Sequence, residues 1–248
     1  MPGMFDRVDS FVKEIRGLKS EAELGLALTK IAADLGCRYF ALTHHVDVRK
    51  ASEAIRIHNY PKHWVTWFDE QGLGRVDPVH RASNMTNVGF PWSRLEDLIP
   101  LTRRDIDVLA AARRQGIGDG FTVPAHVPGE SHGSVSFAAE AGGTLDGEHF
   151  PLLQLVGGFA FEAARRIRHL REPPPIVPRL TERQRECLTW AARGKSDWEI
   201  SRILGISHET VIRHLKQARE RYGVGKRTLL TVHALFDGTI AFFDVIRP

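Results

Sequence analysis

Two four-residue stretches, Thr181-Glu182-Arg183-Gln184 and Ser196-Asp197-Trp198-Glu199, constrain this chain more than any other part of it. In each, a hydroxyl residue is followed three positions later by Gln or Glu, the pattern in which side chains and backbone N–H groups at a helix start satisfy one another. Gly194 closes the first of these helices. Gly205-Ile206-Ser207 then leaves a turn of about three residues before a further helix that Ser207 caps. Helices joined by so short a turn meet at a corner.

In the helix after that corner, Val211, Leu215, Ala218 and Tyr222 recur at helical spacing and face a core, while Arg213, Lys216, Gln217 and Arg219 lie opposite. Residues 207–227 hold six Lys/Arg against two Asp/Glu. A basic amphipathic helix on its own is more often a solvated face than a binding one. With two capping boxes and a corner beside it, residues 180–233 read as a four-helix helix-turn-helix unit whose basic helix neutralises DNA phosphates.

The charge is divided accordingly. Residues 1–175 carry 21 Lys/Arg against 22 Asp/Glu, and residues 176–248 carry 13 against 8, so the basic excess lies in the C-terminal part. Between the two, Pro173, Pro174, Pro175 and Pro178 cannot continue a helix and favour a stiff, extended connector. The expected organisation is an N-terminal domain over 1–172, a linker over 173–178 and a DNA-binding domain over 179–248. No apolar run reaches the ~18 residues of a membrane span, and the opening MPGMFDRVDS lacks a signal peptide's apolar core. A cytoplasmic protein with no membrane partner is expected. Cys37 and Cys187 fall one in each domain, which allows no disulfide framework and no thiolate metal site within a domain; both are expected to be buried small hydrophobes.

In the N-terminal part, Phe11, Ile15 and Leu18, then Leu24, Leu28, Ile31 and Leu35, mark two opening helices, with Gly36 as a stop. Residues 37–43, 54–59, 121–127 and 133–139 are short β-rich segments, and 103–114 and 148–171 read as helices, the latter through Phe150, Leu153, Val156, Phe159, Phe161, Ala164 and Ile167. The fold class is α+β: an N-terminal α/β/α sandwich around an antiparallel sheet, followed by an all-α domain.

Residues 59–92 concentrate aromatics, namely Tyr60, Trp64, Trp67 and Trp92, with Asp77-Pro78 among them. Composition leaves two readings open. One is an ordinary core with Asp77 as a cap; the other is a wall around a small amphipathic molecule, with indole N–H, phenol and carboxylate fixing its polar end.

These residues carry a resemblance. Asn59-Tyr60-Pro61 with Trp64, Asp77-Pro78, Phe90-Pro91-Trp92, Gly120-Phe121-Thr122-Val123-Pro124 and Gly133-Ser134-Val135-Ser136 precede Leu180-Thr181, Leu188, Trp190, Gly194-Lys195, Trp198-Glu199-Ile200, Ser207, Thr210-Val211, His214 and Leu215. In this order they resemble LuxR-type quorum-sensing transcription factors over nearly the whole chain: an autoinducer-binding domain ahead of a LuxR-type helix-turn-helix.

The resemblance implies a small-molecule signal, an N-acyl homoserine lactone, and no cofactor, metal or catalytic residue. Trp64 would donate to the lactone carbonyl, Asp77 would accept from the amide, Tyr60 and Ser136 would donate to the acyl carbonyl, and Trp92 would pack on the lactone ring. Phe68, Thr43, Thr122, Ile117 and His132 complete the candidate lining. It also implies a homodimer on an inverted-repeat promoter, with Glu209, Thr210, Arg213 and His214 near base edges, Lys195, Lys216 and Arg219 near phosphates, and RNA polymerase as a further partner. The last helix, with Leu229, Leu230, His233 and Ala234, would form a dimer seam or pack on its own domain.

Three departures from the family pattern stand out. Phe68 replaces a usual tyrosine. Thr43, His45, His132 and Ser134 make the acyl region polar, which suits a short, aromatic, branched or oxygenated acyl group better than a long saturated one. Gln184 replaces a usual glutamate but still completes its capping box. Phe68 and the polar positions also keep open an orphan regulator that senses a non-lactone or host-derived molecule.

Other classes find less support. His44 and His45 adjoin in a strand and so point to opposite faces, which disfavours a shared metal. An esterase using Ser136 would lack the G-x-S-x-G elbow. A phosphorylated receiver domain would need an acidic cluster that the N-terminal sequence does not have.

Overall fold

The computed structural model describes residues 3–46, 54–127, 130–171 and 176–246. The chain divides into two compact units, the first formed by Met1–Val127 with Ser131–Pro174 and the second chiefly by Pro175–Pro248. Residues 173–175 of the expected connector lie outside the described residues.

The first unit runs α1 (Met4–Ile15), α2 (Glu21–Asp34), β1 (Tyr39–His44), β2 (Arg56–His58), α3 (Lys62–Glu70), α4 (Pro78–Ser83), β3 (Phe90–Pro91), α5 (Leu95–Leu98), α6 (Arg103–Arg114), β4 (Ile117–Ala125), β5 (Gly133–Glu140) and α7 (Phe150–Arg171). The five strands form one sheet in the order β2-β1-β5-β4-β3, antiparallel at every pairing. Successive strand residues point to opposite faces, so each strand serves two layers. Phe40, Leu42, Ile57, Val123, Val135 and Phe137 join residues of α1, α2 and α7 in the main core. On the other face Trp64, Leu73, Val108, Ala112, Ile117 and Ala138 form a second cluster, and Val79, Ala82, Phe90, Leu95 and Ile99 a third. The result is the α/β/α sandwich.

Four features differ from the sequence expectation. Phe159 is 46% exposed rather than core, because the buried stripe of α7 runs through Leu153, Val156, Ala160, Ala164 and Ile167. The stripe steps by three and four residues and leaves 159 on the outer side. β4 begins at Ile117, earlier than position 121. Two helices, α3 and α4, occupy a stretch whose crowded aromatics and prolines hid any helical period. A short helix, Phe242–Ile246, also follows the four helices expected in the second unit.

That second unit consists of α8 (Glu182–Ala192), α9 (Asp197–Leu204), α10 (His208–Arg221), α11 (Arg227–Phe236) and α12 (Phe242–Ile246). Both capping boxes form: Thr181 Oγ1 accepts the Gln184 N–H, Ser196 Oγ accepts the Glu199 N–H, and each acidic or amide side chain accepts in return. Hydrogen bonds from the Ser196 backbone and hydroxyl, with Lys195 adding, hold the Glu199 carboxyl down at about 2. Gly205 ends α9 at φ +65°, a left-handed conformation that a residue with a Cβ adopts only at a cost, and Ser207 caps α10 immediately afterwards. Cys187, Leu188, Ile200, Val211, Leu215, Ala218, Leu230 and Ala234 make the core. Leu230 and Ala234 are thus spent inside the unit, while Leu229 and His233 remain on its surface. Cys37 and Cys187 are both free and buried, and burial raises their thiols to about 12 and about 11.

No described helix is long and apolar enough to cross a membrane.

Candidate ligand cavity and nucleic-acid interface

The cavity in the first unit is assembled outward from the end of β2. Asn59 Oδ1 accepts the Phe40 N–H at 2.7 Å and its Nδ2 donates to the Arg38 carbonyl at 3.1 Å, which locks the chain beside β1 just before Tyr60. Pro61 then starts α3, and Trp64 and Phe68 follow Tyr60 at intervals of four, on one side of the helix. Trp64 stacks on Trp67 with centroids 5.2 Å apart and tilts against Phe68 at 5.8 Å.

Asp77 enters the same space as the cap of α4. Its Oδ1 accepts the Val79 and His80 N–H groups at 2.9 and 3.0 Å, with Pro78 at the first helical position. Arg81 on the same helix reaches both oxygens of the buried Asp105 at 2.9 and 3.0 Å, which ties α4 to α6.

Tyr60, Trp64, Phe68, Asp77, Trp92, Ser136, Thr43 and Ile117 all line one partly open cavity. Thr122 is not among the lining residues but sits on β4 directly opposite Ser136 of β5, under Trp92. The Trp92 indole N–H donates to Thr122 Oγ1 at 2.8 Å, and Thr122 Oγ1 lies 2.8 Å from Ser136 Oγ. Gly120 admits the indole: a Cβ there would meet it at 2.5 Å. His132 is not brought to the cavity. It lies just before β5, exposed, with Nδ1 3.0 Å from Asn84 Oδ1 and its ring against His126.

Besides His58 Nδ1, three polar groups of the lining have no hydrogen-bond partner among the described residues: the Tyr60 hydroxyl, the Trp64 indole N–H and Asp77 Oδ2. Burial first, then the charge of Asp77, pushes the Tyr60 phenol above its ordinary range, so it stays a donor. Once a ligand excludes water from such a donor or acceptor, leaving it unpaired costs roughly 1–3 kcal/mol, which favours a ligand that pairs with it. Ser136 Oγ bonds a hydroxyl rather than an imidazole, so it has no base to activate it as a nucleophile.

Sequence reasoning missed several lining residues, among them Arg56, His58, Asp69, Val79 and His80. The pairing Ala41↔His58 and Thr43↔Arg56 puts the two β2 side chains on the cavity face. Strand alternation alone would have nominated them once β2 was paired with β1. Arg56 Nη1 holds Asp69 of α3 at 2.8 Å. His58 has an enclosed, unpartnered Nδ1, and burial, then the neighbouring Arg56, lowers its pKa.

The second unit presents α10. Glu209, Arg213 and Lys216 are exposed on one side of that helix. Thr210 and His214 are half-buried: the Thr210 hydroxyl lies 2.8 Å from Ser207 Oγ, and His214 Nδ1 is enclosed without a partner. Lys216 sits 3.9 Å from Glu220, Lys195 Nζ 3.3 Å from Glu199, and Arg219 Nη1 donates to the Gly225 carbonyl at 3.0 Å. The Gln184 amide donates to Gln217 of α10 at 3.1 Å, where a glutamate could only accept, and so couples the first helix of the unit to its basic one. Arg227 bonds Asp197 and the Lys195 carbonyl, bracing α11 against the start of α9.

Residues 20–164 match the family described as autoinducer binding domain, and residues 178–234 match bacterial regulatory proteins of the luxR family. The chain is 28% identical over 243 residues to the transcriptional activator protein LuxR of Aliivibrio fischeri, covering 94% of each. It is 34% identical over 189 residues to the quorum sensing-dependent transcriptional regulator RpaR of Rhodopseudomonas palustris, covering 73% of each. Among solved structures, Escherichia coli SdiA shares its fold with a TM-score of 0.66 at 23% identity, over 96% of this chain and all of that one.

Proposed function

This chain belongs to the LuxR family of autoinducer-binding transcriptional regulators, and on that premise we propose that its signal is an N-acyl homoserine lactone whose binding controls attachment to DNA. The observation that carries the lactone reading is the trio of unspent groups in one cavity, Tyr60 O–H, Trp64 N–H and Asp77 Oδ2. They supply two donors and one anionic acceptor, the complement of a lactone carbonyl, an acyl carbonyl and an amide N–H.

In this reading Trp64 donates to the lactone carbonyl and Asp77 Oδ2 accepts the amide N–H. Tyr60 and Ser136 donate to the acyl carbonyl. Thr122 accepts from Trp92 and gives its own hydrogen to Ser136, which leaves the Ser136 hydrogen for the ligand and holds the Trp92 ring against the lactone. Phe68, Thr43 and Ile117 supply walls. Occupancy stabilises this arrangement of α3 and α4 by mass action, in proportion to the logarithm of ligand over Kd.

At the DNA, two copies of the chain present two α10 helices to successive major grooves about 34 Å apart, so the promoter site is an inverted repeat. Arg213 and Glu209 reach base edges, with Thr210 and His214 behind them. Lys195, Lys216 and Arg219 serve phosphates, and bound dimers act on RNA polymerase from within the cytoplasm.

The test is a pair of measurements on full-length protein. Mass spectrometry of small molecules co-purifying from the native host identifies the ligand. Binding to a palindromic promoter fragment at rising salt, with and without that ligand, then reports the coupling. A lactone that changes DNA affinity supports the reading. A carried molecule without an acyl amide favours the orphan alternative, which the polar cavity residues Arg56, His58 and His80 also suit, and affinity that does not respond to salt removes the DNA assignment.

A further inference from the structure

Among the described residues of α10, one large apolar side chain is exposed: Ile212, at 42%. Val211 and Leu215 beside it are 0% and 4% exposed and belong to the core of the unit. Ile212 is neither in that core nor among the partly buried apolar side chains packed against it. Helical spacing sets it next to Glu209, three residues before, and Lys216, four after, and both are exposed. Arg213, which follows it directly, is exposed as well.

The fold gives no reason for isoleucine at this position. A side chain branched at Cβ loses χ1 freedom in a helix, and the long polar residues around it form helices at least as well. A single exposed apolar residue is common on a protein surface. This one, however, stands on the side of α10 that carries Arg213 and Lys216, whose charge suits phosphates. The major groove offers it one apolar partner. The base edges there are hydrogen-bond donors and acceptors, except for the 5-methyl group of thymine. A side chain already held near one rotamer has little freedom to lose on touching that methyl group.

We propose that Ile212 is a specificity-determining residue that packs on the 5-methyl group of a thymine in each half-site, beside the guanine read by Arg213. The proposal rests on the reading of α10 as the helix that enters the major groove, and deepens it. Consecutive Cα atoms lie ~3.8 Å apart and stacked base pairs ~3.4 Å, so side chains 212 and 213 meet adjoining base pairs. Deleting the methyl group forfeits the burial of one small apolar group, about fourfold in affinity for each half-site.

The test uses full-length protein purified from its native host, so that it carries its own signal, and an inverted-repeat duplex that the protein enriches from a random library. Each thymine of a half-site, together with its symmetry mate, is replaced in turn by deoxyuridine, which keeps every hydrogen-bonding group and removes only the methyl. Anisotropy titrations give Kd for each duplex. In the unmodified protein one symmetric pair of replacements is expected to raise Kd roughly fifteenfold, about fourfold per half-site. Ile212→Ala should bind the thymine duplex as weakly as the unmodified protein binds that deoxyuridine duplex, and lose nothing further at that pair. Ile212→Gln, a good helix former that cannot make the apolar contact, should also ignore the methyl and gives a readout should the alanine variant fail to fold. Sensitivity to one thymine methyl that disappears in these variants upholds the contact. Specific binding by the unmodified protein with no methyl-sensitive thymine, or the same sensitivity in either variant, overturns it. Enrichment of no sequence from the library sinks the DNA reading and this contact with it, a result distinct from specific binding that ignores the methyl.

Discussion

Asp77 and His80 are joined through one carboxylate oxygen: Asp77 Oδ1 accepts the His80 backbone N–H at 3.0 Å, while Oδ2 is left to the cavity. A single side chain thereby starts α4 and offers an acceptor to the cavity. The two roles separate in Asp77→Asn. Asparagine is as good a cap as aspartate, so its Oδ1 keeps α4 in place, but the second position becomes an NH₂ that opposes the ligand amide. Ligand affinity should fall by about 1.5–3 kcal/mol, roughly ten- to a hundredfold or somewhat more, as expected for loss of a hydrogen bond to a charged group. Melting of the ligand-free protein should shift by no more than a few degrees. A ligand titration and a thermal melt on the same sample read both, and a large loss of stability without ligand would assign Asp77 to structure alone.

Thr122→Val tests the residue that links Trp92 to Ser136. The substitution keeps shape and removes the oxygen that receives the Trp92 N–H and bonds Ser136. Thr122 is fully buried, so both partners lose a hydrogen bond where water does not replace it. Stability should drop by about 1–3 kcal/mol, read as a lower denaturant midpoint with unchanged slope. Affinity should fall as well, because Ser136 is no longer held in one orientation.

Much of this architecture is legible in the residues because local chemistry sets it. The capping pairs Thr181/Gln184 and Ser196/Glu199, the glycine at 205 and the long helix over 150–171 each depend on neighbours within one or two turns. What escapes is set by contacts distant in sequence. Arg56 and His58 reach the cavity only because β2 pairs with β1 in one register, and a slip of one residue would turn both to the other face. His132 drops out of the site because the sheet begins at Gly133, and strand ends are poorly marked by composition. Nothing local marks His80 as a lining residue, and the ring that stacks on it, His45, comes from 35 positions upstream.

Acid should weaken the first unit through His45. Burial, then the nearby His80, His132 and His126, hold its ring neutral well below the ordinary imidazole range. In the unfolded chain it titrates near ~6.5. Below that pH the unfolded state takes up a proton that the folded state refuses, so the stabilisation is complete above ~6.5 and declines as pH falls. His58 and His132 are shifted in the same direction, also chiefly by burial. The melting temperature should therefore decrease between about pH 7.5 and about pH 5.5, with His45 contributing up to about 1.4 kcal/mol per pH unit once fully below its unfolded value. His45→Gln, which can still bond Ser134, should flatten the dependence; an identical pH profile in that variant would show that the charge uptake lies elsewhere.

Two residues of α10 should respond differently at DNA. Lys216 is 67% exposed and its pairing with Glu220 at 3.9 Å is too loose and too wet to stabilise the fold appreciably. If it serves a phosphate, Lys216→Ala weakens binding to all sequences alike and reduces the slope of log affinity against log salt by about 1. Arg213, exposed one turn earlier on the same side, has a planar fork suited to the two acceptors of a guanine edge. Arg213→Ala should cost about 1–3 kcal/mol on the promoter site and much less on random DNA, relaxing the preference at one base pair of each half-site. Titrations of both variants on specific and scrambled fragments at several salt concentrations separate the outcomes. Equal losses on both fragments for Arg213→Ala would move that residue from the bases to the backbone.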